Sequence, residues 1–155
     1  ADGGYDLALI SASVTLGDNV EQATAQGTAD LSITGNASDN WLNGNSGNNT
    51  LDGATGNDRL QGGDGADVLI GGAGNDNLFG QAGIDSFVFN DGDGVDVIRD
   101  FEAGETIDLS GTSAGSLRAL VLGGVAAGAF IDYGAGIIVL SGMASTDLSE
   151  SDFLF

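Results

Sequence analysis

The sequence predicts an all-β fold wound as a stack of short parallel strands, and three observations carry the prediction. From Gly35 to Val88 the chain divides without a gap into six nine-residue units. Glycine, asparagine and aspartate crowd the first six positions of each unit, and one large apolar residue recurs at a fixed place in the last three. The units are GNASDNWLN, GNSGNNTLD, GATGNDRLQ, GGDGADVLI, GGAGNDNLF and GQAGIDSFV. Four columns held in phase over 54 residues are a structural repeat, not a by-product of a glycine-rich composition.

Each column has a physical reading. Position 1 is always glycine (Gly35, Gly44, Gly53, Gly62, Gly71, Gly80), and position 4 is glycine in five units, Ser38 being the exception. Such residues tolerate positive φ and make turns. Position 8 is Leu42, Leu51, Leu60, Leu69, Leu78 or Phe87, flanked by residues free to face outward, as in a three-residue strand. A turn plus such a strand is half a coil, so two units, 18 residues, complete a circuit. The apolar column then stacks into a narrow interior that no single unit could bury alone. Position 6 is Asn40, Asn49, Asp58, Asp67, Asp76 or Asp85, and stacking sets Asp58 beside Asp76 and Asp67 beside Asp85. Two carboxylates about 5 Å apart at an effective dielectric of about 20 repel by roughly 3 kcal/mol. A fold that repeats this contact needs a cation between the pair. Carboxylates and turn carbonyls are hard, flexible, all-oxygen ligands, which favours calcium over zinc or copper, and over magnesium with its tight octahedron.

The flanks extend the stack. Residues 1–34 fit the nonapeptide poorly but read as short alternating pieces, Leu7 to Ile10, Ser13 to Leu16 and Leu31 to Thr34, expected as further coils without metal. Residues 35–94 form the calcium-binding part. Residues 95–155 are expected to close the open end, because a last coil exposes its apolar interior and a sheet edge. Within them Ala129 to Asp132 and Ile137 to Leu140 read as a β-hairpin around Tyr133 to Gly136. Asp96 and Asp100 alternate with Val97 and Ile98 and could add a calcium ligand, but read first as a solvated face; Asp30 and Asp147 read as solvated turn residues.

Charge and composition exclude much. The 155 residues carry 19 aspartates and 4 glutamates against 3 arginines, with no lysine, histidine, cysteine or proline, for a net charge of −20. There is no zinc finger, disulfide scaffold, thiol nucleophile or Ser-His-Asp triad, and carboxylate pairs suited to glycosidase chemistry exist only where calcium would occupy them. We expect no catalytic residues. So negative a surface repels nucleic acid and anionic lipid. The most apolar stretch, Ala119 to Ile131, is interrupted by glycines and too short to span a membrane. ADGGYDLALI lacks a cationic segment leading into a greasy core, so no Sec-type signal is read there, and ADGG reads as a cut from a longer chain. Asp91-x-Asp93 with Glu102 mimics an EF-hand, but Val95 and Asp96 stand where a ligand and a glycine belong.

The units resemble the RTX (haemolysin-type) calcium-binding nonapeptide GGxGxDxUx, with GGAGNDNLF and GGDGADVLI matching every defined position. The resemblance implies a right-handed parallel β-roll holding one ion between turns n and n+2, ligated by both position-6 side chains and by main-chain carbonyls. One site takes Gly53, Thr55 and Asp58 with Gly72, Gly74 and Asp76; the next takes Gly62, Asp64 and Asp67 with Gln81, Gly83 and Asp85. Two weaker sites pair Asn49 with Asp67 and Asn40 with Asp58, for about four ions in all. The same carry-over marks Gly44, Ser46, Gly56, Gly63, Gly65, Gly71 and Ala73 as ligand positions, and a further site joins Asp76 to the turn NDGDG through Asp91 or Asp93. YDLALISASVTLGDNVEQ resembles degenerate segments that precede regular coils in such proteins, and DVIRDFEAGETIDLS resembles the segment after the last repeat in serralysin-type proteases and alginate epimerases. Asp152-Phe153-Leu154-Phe155 is similar to the terminal motif of type I secretion substrates, or is simply a final core strand. These resemblances imply a monomeric module of a secreted, extracellular protein, partnered by type I secretion machinery and folding on calcium. Polysaccharide binding is the alternative, with Arg59, Arg99, Arg118, Trp41, Tyr5 and Tyr133 as the few residues to serve it.

Overall fold

The computed structural model describes residues 4–114, 121–125, 128–143 and 148–155. Arg118, Asp147 and the opening ADG therefore lie outside the described residues, as does part of the stretch Ala119 to Ile131. Chain order begins with β1 (Leu7–Ile10), β2 (Val14–Thr15), β3 (Gln22–Ala25), β4 (Ser32–Thr34), β5 (Trp41–Asn43) and β6 (Thr50–Asp52). It continues with β7 (Arg59–Asp64), β8 (Val68–Ile70), β9 (Asn77–Ala82), β10 (Ser86–Asn90), β11 (Val95–Ile98) and β12 (Thr106–Gly111). Up to that point odd strands build one parallel sheet and even strands another, so the chain winds as a β-solenoid.

The repeat dictates the register. In one sheet Leu42 lies against Leu60, Leu60 against Leu78 and Leu78 against Ile98. In the other Ile33 lies against Leu51, then Leu69, Phe87 and Ile107. All nine side chains have zero exposure. Because their neighbours at positions 7 and 9 point out, each strand contributes one inward residue, worth about 2 kcal/mol of burial for a leucine. The step is 18 residues within the repeats and 20 from Leu78 to Ile98 and from Phe87 to Ile107, where the chain adds two residues per coil.

The expected flanking pieces are coils: β1 pairs with β3, β3 with β5, and β2 with β4. The QATA strand β3 was not among the pieces read from sequence; it keeps Ala23 and Ala25 buried with small side chains where the repeats use leucine. At the other end β13 (Val121–Val125), β14 (Gly128–Asp132) and β15 (Ile137–Ser141) form an antiparallel meander, and β15 lies parallel on β11. The expected hairpin is β14–β15. Its turn is held by Tyr133, buried, whose hydroxyl donates to the Asn90 carbonyl at 3.2 Å. β16 (Phe153–Leu154) adds to β12 and buries Phe153 against Ile107, so of the two readings of the C-terminal tetrad the described geometry contains the final core strand. Among the described residues no helix is long and apolar enough to cross a membrane.

Candidate metal centres

The turns stack as closely as the strands. The N–H of position 7 donates to the position-6 carbonyl one coil earlier, Asn77 to Asp58 and Ser86 to Asp67, both at 2.8 Å. This sets successive position-6 residues on top of one another. Each main-chain N–H there donates to a side-chain oxygen of the next coil: Asn40 to Asp58 Oδ1 (2.6 Å), Asn49 to Asp67 (2.7 Å), Asp58 to Asp76 (2.7 Å) and Asp67 to Asp85 (2.8 Å). The six side chains are at most 3% exposed. Two buried columns result, one through Asn40, Asp58 and Asp76, the other through Asn49, Asp67 and Asp85.

One oxygen of each carboxylate is thereby satisfied. The other is not: Oδ2 of Asp58, Asp67, Asp76 and Asp85 is buried and has no hydrogen-bond partner. Leaving such an acceptor unpaired costs on the order of 1–3 kcal/mol, more when charged. Burial accordingly pushes Asp58 up to about 7 and Asp67 and Asp76 up to about 6, with Asp76 adding its charge against Asp58 and Asp85 against Asp67. Asp85 is raised as well, chiefly by burial. A fold that leaves ionised oxygens aimed inward and unmatched has room for a cation in its chemistry.

The position-1 glycines show where that room lies. A Cβ on Gly53 would stand 2.4 Å from Asp58 Oδ2 and 2.5 Å from the Gly71 carbonyl oxygen, so carboxylate and carbonyl converge where only hydrogen fits. Position 4 is a second constraint: Gly74 has φ +157°, and a Cβ there would overlap the Gly56 carbonyl at 1.7 Å. The other turn residues named from sequence are layered by the same ladder. Thr55 bridges Ala73; Gly63 and Asp64 oppose Gln81 and Ala82; the Gly56 N–H donates to Ala73 and that of Gly65 to Ala82. Gly44 donates to the Gln61 carbonyl, Gly62, Gly72 and Gly83 lie in the turns stacked on Gly44, Ala54 and Gly65, and Ser46 is exposed. Among the described residues no three Asp, Glu, His or Cys side chains converge. The carboxylates act in pairs, and carbonyls must supply the remaining ligands. That donor set, all oxygen and without imidazole or thiolate, fits calcium.

The asparagine ends differ. Asn40 Oδ1 accepts the Asn36 N–H at 2.7 Å and its amide donates to the Val20 carbonyl at 3.2 Å. Asn49 accepts from the Asn45 N–H and donates to Asn45 Oδ1 and the Gly47 carbonyl. Uncharged and already hydrogen-bonded, the two amides make Asn40–Asp58 and Asn49–Asp67 the weaker pairs.

Past the repeats the structure corrects the sequence reading. Asp96, read as part of a solvated face, has zero exposure, and its Oδ1 accepts the Asp76 N–H at 2.9 Å. It stands on Asp76 in the place the sequence offered to Asp91 or Asp93. Asp91 is exposed and accepts from Ser113; Asp93 is buried, but its carboxylate accepts the Asn90 N–H within its own loop, and its carbonyl accepts from Gly74. Asp100 is half-buried and accepts the N–H groups of Gly80 and Gln81. Glu105, which sequence reasoning passed over, is 2% exposed and accepts the Glu102 N–H at 2.7 Å. A signal existed for both: Asp96-x-Ile98 and Glu105-x-Ile107 repeat the acid-x-apolar spacing of Asp76-x-Leu78, two residues late.

The family model of the RTX calcium-binding nonapeptide repeat matches residues 32–60 and 52–87, with four copies. Comparison with curated proteins gave no match.

Proposed function

Residues 32–87 belong to the RTX calcium-binding repeats, and from that premise we propose that this calcium-binding module of a secreted protein is an export-coupled folding device rather than a catalyst. The chain stays unfolded where calcium is scarce, passes through type I secretion machinery, and folds outside as a monomer that stabilises its parent protein. The supporting observation is the set of buried, unpartnered Oδ2 atoms on Asp58, Asp67, Asp76 and Asp85. Asp58 with Asp76, and Asp67 with Asp85, would hold the strongest ions, helped by carbonyls of Gly53, Thr55, Gly62, Asp64, Gly72, Gly74 and Gly83. Asn40 and Asn49 would contribute to weaker ones. With free calcium at tenfold the dissociation constant, each site adds about 1.4 kcal/mol, and four add roughly 5–6 kcal/mol, an ordinary domain's whole stability. Without the ions, net charge and glycine content oppose folding. Far-ultraviolet circular dichroism in excess chelator and then in calcium tests this. Strand signal appearing only with calcium is expected; native strand content in chelator rejects the proposal.

A second reading, a calcium-dependent polysaccharide-binding module, draws on one feature of the outer face. The Arg59 guanidinium lies 5.5 Å from the Trp41 ring centre and 4.1 Å from that of Phe79, and Arg99 donates to Asn77 beside them. Such a cation-aromatic strip suits an acidic sugar. Calorimetric titration of alginate oligomers into the calcium form separates the readings: saturable heat favours this one, and its absence removes it.

A further inference from the structure

The two half-coils beyond the repeats carry acids where the repeats carry position-6 aspartates. The ladder that stacks Asn77 on Asp58 continues without change, Val97 N–H donating to the Asp76 carbonyl at 2.9 Å and Thr106 N–H to that of Asp85 at 3.0 Å. The residue before each donor is thus a position-6 residue in space: Asp96 over Asp76, and Glu105 over Asp85. Asp96 repeats the bonding of its predecessors down to the atom, with Oδ1 on the N–H of the coil below and Oδ2 buried without a partner. Glu105 Oε2 accepts the Glu102 N–H at 2.7 Å, while the carboxylate beneath it, Asp85, keeps an unpartnered buried Oδ2. No described cation balances either pair; nearby are more acids, Asp93 beside Asp96 and Asp100 beside Glu105, and the Arg99 guanidinium is turned to Asn77. Both positions stack carboxylate on carboxylate, as the repeat sites do, and leave a buried oxygen unpartnered.

We infer that the two ion columns run one coil past the repeats, with a calcium site between Asp76 and Asp96 and another between Asp85 and Glu105. The inference rests on the reading that the repeats themselves hold calcium. Its consequence concerns the cap. Asp96 lies in β11, which carries the β15–β14–β13 meander, and Glu105 immediately precedes β12, on which β16 packs. An ion at each pair fastens both cap attachments to the roll, so the cap closes only when the columns are filled. The ion count rises from the four pairs inside the repeats to six.

Equilibrium dialysis with radioactive calcium at pH 7.5 tests this on the whole chain. Asp96→Asn and Glu105→Gln should each bind one ion fewer than the natural sequence, and the double variant two fewer. Unchanged stoichiometry in both single variants overturns the inference while leaving the repeat sites standing. Absence of bound calcium in the natural sequence overturns the repeat reading and this inference together. Should a variant fail to fold, anomalous scattering from crystals of the unaltered chain grown in calcium decides: peaks between Asp76 and Asp96 and between Asp85 and Glu105 support the two added sites, and ordered protein without them overturns them.

Discussion

The two ends of this solenoid use one backbone plan and opposite chemistry. In the N-terminal coils Glu21 and Leu31 occupy the places that stand under Asn40 and Asn49. The Glu21 carboxylate accepts the Asp6 N–H at 2.8 Å, Leu31 fills its place with hydrocarbon, and the two asparagines close their own hydrogen bonds. From Asp58 to Asp96 each place is a carboxylate with one oxygen left over. The stacking is the same and so is the apolar interior. What changes is whether the turn column satisfies itself or waits for an ion. Outside the buried column, an exposed ladder from Asp39 through Asn57 and Asn75 to Val95 staples turn to turn with side-chain oxygens and no charge conflict. Calcium dependence is therefore a property of position 6, from Asp58 on, and not of the fold as such.

Substitutions can break that contrast, the backbone ones most severely. Gly74→Ala forces a Cβ onto the Gly56 carbonyl at a positive φ and should cost more than about 4 kcal/mol, with thermal melting showing no folded transition even in calcium. Asp76→Asn weakens two pairs and should lower stability in calcium by about 3 kcal/mol, measured by denaturant titration. The same change should lower the calcium concentration dependence of folding and shift the chelated chain at pH 8 toward strand, read by circular dichroism, because a buried unmatched charge is gone; a shift away from strand in both conditions would contradict the account. Asn40→Asp is the converse experiment. It removes the donor to Val20 and adds an unmatched oxygen, so it should cost about 1–3 kcal/mol at calcium just sufficient to fold the chain and recover part of that at saturating calcium.

Acidity separates the halves more gently. In the metal-free fold burial holds Asp67 and Asp76 near 6, Asp58 near 7, and Asp96 and Glu105 near 8, all above their ordinary values of 3.8 and 4.5. The folded chain then binds more protons than the unfolded one, so this contribution is complete below about pH 4 and is lost as pH rises through 6 to 8. In excess chelator the chain, unfolded at pH 8, should gain some strand signal, short of the native content, as pH falls to 5. Calcium affinity should move the other way, falling as pH drops and protons compete for the ligands. A flat profile in chelator would contradict both. The smallest effect is expected at Ala54, held at φ +72° where Gly63 and Gly72 fill the same place in the two following units: Ala54→Gly should gain about 0.5 kcal/mol, read from the melting temperature in calcium.

Much of this was legible in the sequence because the repeat encodes it twice, in turn chemistry and in apolar spacing. Leu42, Leu60 and Leu78 fall in register as their 18-residue separation requires, and the β14–β15 hairpin lies where alternating residues and glycines place it. Legibility failed where the period changed. Two extra residues per coil after Val88 hid Asp96 and Glu105 from a count of eighteen, although their acid-x-isoleucine spacing was intact. The strand β3 was hidden for another reason: alanines at Ala23 and Ala25 carry little apolar signal, and neighbouring strands supply the packing that makes them core. Sequence ranks Asn40 below Asp58 as a ligand, and their hydrogen bonds add a second physical reason.

The claim beneath the whole account is that cations sit between stacked position-6 side chains. A crystal grown in calcium and measured at long wavelength tests it directly through anomalous scattering. Peaks between Asp58 and Asp76 and between Asp67 and Asp85 are predicted. Ordered protein with no peak at either place would contradict it.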